Sequence, residues 1–387
     1  MINEILSKIA KSSINRPFLV LSIVFIFTLL MAGLLPNVKS QTDYEKMVPQ
    51  DDPVIISFNK VRDNFGGSEI IMVGIEVVPS NSPEKVTDIR DPRVLELIDF
   101  LKKDLVSIGD VNSVYSPTDK IVVENNDIIP KDIQKVRTIY QNLPESSKNG
   151  IYSSDYSMAL VHVTTDVSSD KQEELVKEIN LRLKEAPIPP GIQVITTGSP
   201  AIGELMGRLM AESQAITGIA ALLAIFTILY LYFKSFVKSV LPLIPVGCAI
   251  IWAAGSMAIF GIPMDMATSI MGSLLLGLGI DYGVHVYHRY EEELKKGSSL
   301  NEAIETTVIT TGSAVVTTTA TTVAGFAALT IAPLPMMSNM GKVCALGIFF
   351  CMAAVISILP SLIIIEERHL RPTIKKLKMQ LKGDSNE

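Results

Sequence analysis

The chain has 387 residues, 48% of them hydrophobic and only 19% charged, with 34 Lys and Arg against 40 Asp and Glu for a formal charge of −6. That much apolar content excludes an ordinary soluble protein unless charge and apolar residues are segregated along the chain. They are: residues 37–213 carry 19 basic and 28 acidic residues, a balance of −9, while the rest of the chain balances to +3. An acidic middle segment gives no reason to expect a nucleic-acid partner.

A membrane-crossing helix needs about 20 mostly apolar residues. Six runs supply that length: Pro17–Pro36, Ala215–Phe233, Val240–Ile259, Met266–Tyr287, Ala314–Ile331 and Val343–Ile365. The first follows Lys8, Lys11 and Arg16, as a signal peptide would, but its apolar core is long and "LLPNVKSQ" offers no small-x-small cleavage site. It reads as an uncleaved anchor.

Between the first and second spans, helix and strand signals alternate. "DDPVIISFNKVRDNF" starts as a helix should, with Asp51 or Asp52 ahead of Pro53. "SEIIMVGIEVVP" follows as a strand, "DPRVLELIDFLKKDLVSIG" as a helix behind Asp91, and "VNSVYSP" as a short strand. The second half repeats the order: "PKDIQKVRTIYQNLP" helical, "YSMALVHVTTD" extended, "SSDKQEELVKEINLRLKEA" helical, "GIQVITTGSP" extended. Two α-β-α-β units predict a ferredoxin-like α+β domain with helices over one face of a sheet. "AIGELMGRLMAESQAITGIA" then reads as one helix running into the second span, either a mechanical link or a plain connector.

Lys and Arg near the span ends set orientation. With a cytoplasmic amino terminus, Lys8, Lys11, Arg16, Lys234, Lys238, Arg289, Lys295, Lys296 and Arg368 all fall inside, and the loops "FGIPMD" and "PLPMMSN" outside carry only Asp265. The expected organisation is residues 1–36 as amino terminus and first span, 37–213 as an extracytoplasmic domain, 214–369 as spans two to six, and 370–387 as a basic cytoplasmic tail. That tail ("RPTIKKLKMQLK") would lie near anionic lipid heads. Cys248, Cys344 and Cys351 all lie in spans, so neither disulfides nor a metal site is expected.

The fourth span ends in "GLGIDYGVHVYHRYEEE". A phosphate loop needs a strand before its glycines and a helix starting at them, and this context supplies neither. At 100° per residue Gly272, Gly279 and Gly283 share one face, a helix-packing face in lipid. Asp281 points the other way, in line with Gly277 and near His285 and His288. It sits about 10 Å from the basic end of the span at 1.5 Å per residue, where a charged Asp costs somewhat less than the about 2.5–3.5 kcal/mol of a mid-span one. Apolar surroundings favour the protonated form of a carboxyl. Asp281 is therefore a candidate proton carrier, an end-of-helix charge in water, or a buried tie to a neighbouring helix. In the fifth span "TTVITTGSAVVTTTATTVAGFAALT" places Thr311, Thr318 and Thr322 on one face, as partners for such a carboxyl or as hydroxyls bonded back to their own helix. Ahead of it Ser299 and Glu302 form a capping box, and Arg289 with Glu291, Glu292 and Glu293 reads as a solvated face.

With "GLGIDYGVHVYHRY" in the fourth span, "TTTATTVAGFAAL" in the fifth, and one helix, a large outer domain and five helices in that order, the chain resembles the resistance-nodulation-division (RND) superfamily. Within it the resemblance is to the MMPL, or hydrophobe-exporter, branch that also includes hopanoid transporters and Patched-like proteins. The resemblance implies a proton-gradient-driven exporter of a hydrophobic or lipid-like substrate, and a porter role for the outer domain. It also implies a relay at Asp281 and Tyr282, with Thr318 placed by register from Gly325 and His285, Thr311 and Thr322 as support. Members typically join two such units in one chain, so this single unit is expected to work as at least a homodimer. Two other classes stay open: a protein-export accessory, and a lipid-sensing (sterol-sensing-like) receptor without transport. No HExxH, GxSxG or Walker loop is present, so neither an enzyme nor a cofactor is expected.

Overall fold

The computed structural model describes residues 2–42, 44–65, 69–165 and 169–370. Expectations about the basic tail from Arg371 onward fall outside the described residues. In chain order the elements are α1 (Ile2–Asn15), α2 (Pro17–Gly33), α3 (Pro53–Phe65), β1 (Glu69–Val77), α4 (Pro92–Val106), β2 (Ser113–Tyr115), α5 (Asp119–Val123), α6 (Ile133–Asn142), α7 (Glu145–Lys148), β3 (Met158–Thr165), α8 (Ser169–Glu185), β4 (Ile192–Thr197), α9 (Ser199–Phe233), α10 (Phe236–Val240), α11 (Leu243–Phe260), α12 (Met271–Lys295), α13 (Leu300–Ala328) and α14 (Pro335–Ile365). The described residues of Met1–Gln41, Lys46–Pro49 and Leu209–Glu387 form one compact unit, and those of Thr42–Glu45 and Gln50–Arg208 another.

The second unit holds one antiparallel sheet of order β2-β3-β1-β4, with β1 paired to both β3 and β4. With α4 crossing from β1 to β2 and α8 from β3 to β4, this is the ferredoxin-like α+β arrangement. Strand alternation explains it: in β3 every second side chain is buried, and Ala159, Val161 and Val163 join Ile71, Val73 and Ile75 of β1 on one face. Leu97, Leu101 and Leu105 of α4 and Val176 and Ile179 of α8 cover that face. The helix starts carry their expected caps. The Asp91 carboxylate accepts from the Arg93 amide at 2.9 Å ahead of Pro92, and Asp52 accepts from the Val54 amide at 2.8 Å ahead of Pro53. Beside this core the Asp88 carboxylate takes a fork of bonds from Arg90 at 2.7 and 2.8 Å and a further one from Arg137 at 2.6 Å. The Arg90 guanidinium also lies 3.9 Å over the Tyr156 ring.

Among the described residues six helical segments are long and apolar enough to cross a membrane: Pro17–Asn37, Ser199–Phe233, Phe236–Phe260, Thr268–Lys295, Leu300–Ile331 and Pro335–Arg368. Three of them start eight or more residues ahead of the apolar runs in the sequence. The helix α9 is unbroken for 35 residues, α13 starts fourteen residues before Ala314, and α14 starts at Pro335. The reason is local: Ser299 accepts from the Glu302 amide and Glu302 reaches back to the Ser299 amide, so the capping box starts a helix that simply continues into the apolar run. The short helices α5, α7 and α10 and the longer α1 went unread in the sequence. Along α1, Leu6, Ala10 and Ile14 are buried against α13 and α14, while Lys8 and Lys11 face out.

Candidate functional site

Glycines and small residues bring the spans of the first unit close enough to fix α12. A methyl group on Gly279 would lie 2.7 Å from Cys351 Sγ of α14, and one on Gly283 would lie 2.9 Å from Pro242 Cβ and 3.2 Å from its carbonyl oxygen. Gly272 differs: nothing lies within 4 Å of where its methyl would go, and the same holds for Gly277 on the opposite side. The outer-loop carboxylate of Asp265, 2% exposed, accepts from the Thr268 amide at 2.9 Å and from Asn339 Nδ2 of α14 at 3.2 Å, so it ties the start of α12 to α14.

Held this way, α12 turns its polar stripe toward α13. Asp281, Tyr282, His285, His288, Arg289 and Glu292 of α12 and Thr310, Thr311, Ala314, Val315 and Thr318 of α13 line one cavity of about 650 Å³. Among the described residues Asp281 makes no hydrogen bond or ion pair, and its side chain is open to the cavity. Tyr282 is half-buried and packs against the Ala253–Leu275–Ile348 cluster. The Thr318 hydroxyl donates back to its own helix, to the carbonyls of Ala314 at 3.2 Å and Val315 at 3.1 Å. A hydroxyl engaged as a donor keeps its lone pairs, so it still accepts from a protonated carboxyl. Thr322 bonds to the Thr318 carbonyl at 2.9 Å and does not line the cavity.

The far end of the cavity holds residues that sequence reasoning left as solvent-facing charge. His288 Nδ1 stands 3.5 Å from Glu292 Oε1 and its ring 6.5 Å from that of Tyr232. Arg289 pairs with Glu293 at 2.7 Å and Glu292 at 3.5 Å, and Lys238 pairs with Glu291. The signal that could have found Glu292 is spacing: it follows Asp281 by eleven residues, as His285 and His288 do by four and seven, on one face of a helix. Among the described residues no group of three His, Cys, Asp or Glu side chains is arranged to hold a metal ion.

Six membrane-length helices, a ferredoxin-like α+β insertion after the first, and an intramembrane aspartate–tyrosine pair define an RND-type membrane protein. The MMPL family profile matches residues 46–380, and the chain belongs to that family. It is 50% identical to the membrane protein MJ1562 of Methanocaldococcus jannaschii over 98% of both chains. To the sulfolipid-1 exporter MmpL8 of Mycobacterium tuberculosis it is 20% identical over 93% of this chain, which is 31% of MmpL8. The fold is that of the hedgehog release protein Disp from the water bear Hypsibius dujardini, with a TM-score of 0.68 at 12% identity over 94% of this chain and 49% of Disp. The chain thus spans nearly all of MJ1562 and a third to a half of the longer two.

Proposed function

We propose that this chain is a secondary active exporter of a hydrophobic or lipid-like substrate, driven by a proton gradient. The observation that carries the reading is the shared cavity: Asp281, Tyr282, His285 and Thr318 line one space between two membrane helices, and Asp281 has no partner there among the described residues. An intramembrane carboxyl is by default a functional site. An ionised Asp costs about 2.5–3.5 kcal/mol at mid-span and somewhat less at the depth of Asp281, and a gradient of one pH unit supplies about 1.4 kcal/mol per proton. The two are of one order, so proton uptake at Asp281 is an adequate lever on helix packing. Tyr282 and Thr318 flank that proton, with His285 and Thr311 along the same cavity and Thr322 one turn beyond.

Sulfolipid export by MmpL8 supports a lipid-like substrate. Basic residues at the span ends support cytoplasmic termini in the cell membrane, with residues 37–213 outside in a porter role. A second copy of the chain, packed so that the two α12 helices face each other, would supply the partner that Asp281 lacks; we take a homodimer as the working unit. The test is reconstitution of wild type and Asp281→Asn into liposomes with an imposed pH difference and a panel of labelled lipids. Gradient-dependent lipid movement should occur with wild type and vanish in the variant at equal expression and thermal stability. Undiminished movement by Asp281→Asn would remove Asp281 from the mechanism.

A further inference from the structure

The cavity has a direction. On α12 its lining begins at Asp281 and runs only toward the carboxyl end, through His285 and His288 to Glu292; no residue of α12 before Asp281 contributes. On the antiparallel α13 the lining runs from Thr318 back to Thr310 and again stops there. Asp281 and Thr318 therefore mark one end of the cavity, and Glu292 with Thr310 the other. At 1.5 Å per residue the eleven steps from Asp281 to Glu292 span about 16 Å, and the volume of about 650 Å³ is many times the room a single water needs. The Glu292 end lies where the charges gather: the Lys238–Glu291 pair, Arg289 with Glu292 and Glu293, and Lys296 with Glu293 at 2.9 Å. Such a concentration of ion pairs belongs at a membrane surface, where charge stays hydrated. Past Asp281 toward the other surface, α12 offers Gly277 and Leu278.

We propose that this open cavity is a proton path between Asp281 and the cytoplasmic side, with His288 and Glu292 as its mouth, His285 as an intermediate station and Asp281 as its inner end. The proposal rests on the reading of Asp281 as a proton carrier. Histidine exchanges protons near neutral pH, and the Glu292 carboxylate stands 3.5 Å from His288 Nδ1. The steps are four, three and four residues, about 6, 4.5 and 6 Å of helix rise each, distances bridged by one or two waters. The groups facing His288 are Glu292 and Arg289 on its own helix, Tyr232 from α9 and Thr310 from α13. Arg289 in the mouth disfavours entry of metal cations, and its own charge is held by Glu293 and Glu292. A proton passed from Glu292 and His288 to water, to His285 and on to Asp281 breaks and forms only N–H and O–H bonds, and each station is left ready for the next.

The experiment follows proton arrival without a transported substrate. Protein in lipid nanodiscs receives protons from a flash-released caged acid, and time-resolved infrared absorption follows the carboxylic C=O band, assigned by its loss in Asp281→Asn. In wild type the band rises quickly. In His288→Ala with Glu292→Gln it should rise about a hundredfold more slowly or worse, within the range that positioned proton-transfer groups contribute, and added imidazole should restore the rate. His285→Ala should give a smaller delay, also restored by imidazole. An unchanged rise in the double variant overturns the proposed mouth while leaving Asp281 as carrier, and a slow rise that imidazole does not restore also overturns it. Absence of any band lost in Asp281→Asn overturns both this path and the reading beneath it.

Discussion

Replacing Gly283 with alanine tests whether α12 is held where its polar stripe requires. The added methyl would meet Pro242 at 2.9 Å from Cβ, 3.2 Å from the carbonyl oxygen and 3.3 Å from Cα. Ordinary carbon–carbon contact needs about 3.5–4.0 Å, so the helices must part by roughly half an ångström or more. Most of what is struck is backbone and a proline ring, which cannot rotate away. Overpacking of this kind costs about 1–3 kcal/mol. Alanine also recovers up to about 1 kcal/mol of helix propensity over glycine, which would mask part of the effect. Gly277→Ala gains the same propensity on the same helix and meets nothing within 4 Å, so the difference between the two variants isolates the packing cost. Thermal unfolding in detergent, followed by intrinsic fluorescence, should rank them Gly277→Ala at or above wild type and Gly283→Ala below Gly277→Ala by about 1–3 kcal/mol. Equal stability of the two, or a less stable Gly277→Ala, would show that Pro242 does not set the position of α12.

Three further outcomes are expected. Thr318→Val should lower gradient-driven transport several-fold while Thr322→Val, outside the cavity, should leave it near wild type; equal losses would mean that hydroxyls matter only for helix structure. Leu278→Cys, at a position of α12 that is 37% exposed, should form an oxidised dimer in membranes if two copies face each other there, and a purely monomeric product removes the homodimer. In the α+β unit, hydrogen bonds from Arg90 hold the Asp88 carboxyl well below the usual carboxylate range, with Arg137 adding to the effect. A depressed carboxyl stabilises the fold above its unfolded value of about 3.9 and loses that contribution as pH falls below it. Asp88→Asn should therefore cost about 1–3 kcal/mol at neutral pH and progressively less as acid is added, read as chemical unfolding of the whole chain at stepped pH. A cost that does not shrink with acid would put the effect in packing and not in charge.

Much of this architecture could be read from spacing alone. The alternation of Ala159, Val161 and Val163 announces a strand with one buried face, and Asp91 before Pro92 announces a helix start, because each depends only on neighbours along the chain. The intramembrane aspartate also stood out, since an isolated charge in an apolar run needs no partner to be noticed. What was not legible depended on a second element. Arg289 and Glu292 look like ordinary surface charge until α13 lies alongside and lines one open cavity with them and Asp281. Gly272 sits on the same helical face as Gly279 and Gly283, yet only the latter two meet a neighbour within 4 Å, because α11 and α14 approach α12 at those levels. The helix α1 was hidden by Lys8 and Lys11, whose charge reads as a flank to the first span and conceals the Leu6, Ala10, Ile14 stripe.

The tie between Asp265, Thr268 and Asn339 bears on how α12 could move at all. Its amino-terminal end is pinned to α14 through a buried carboxylate, and thirteen residues, about 20 Å of helix, separate Thr268 from Asp281. A helix fixed at one end swings as a lever. On that arm a tilt of about 3° carries the Asp281 carboxyl sideways by about 1 Å, a shift of the size by which packed helices move between functional states. The charged end at Glu292 lies nearly twice as far from the pivot and would travel correspondingly further, so a small rotation at the Asp265 loop is enlarged at the other end of the helix.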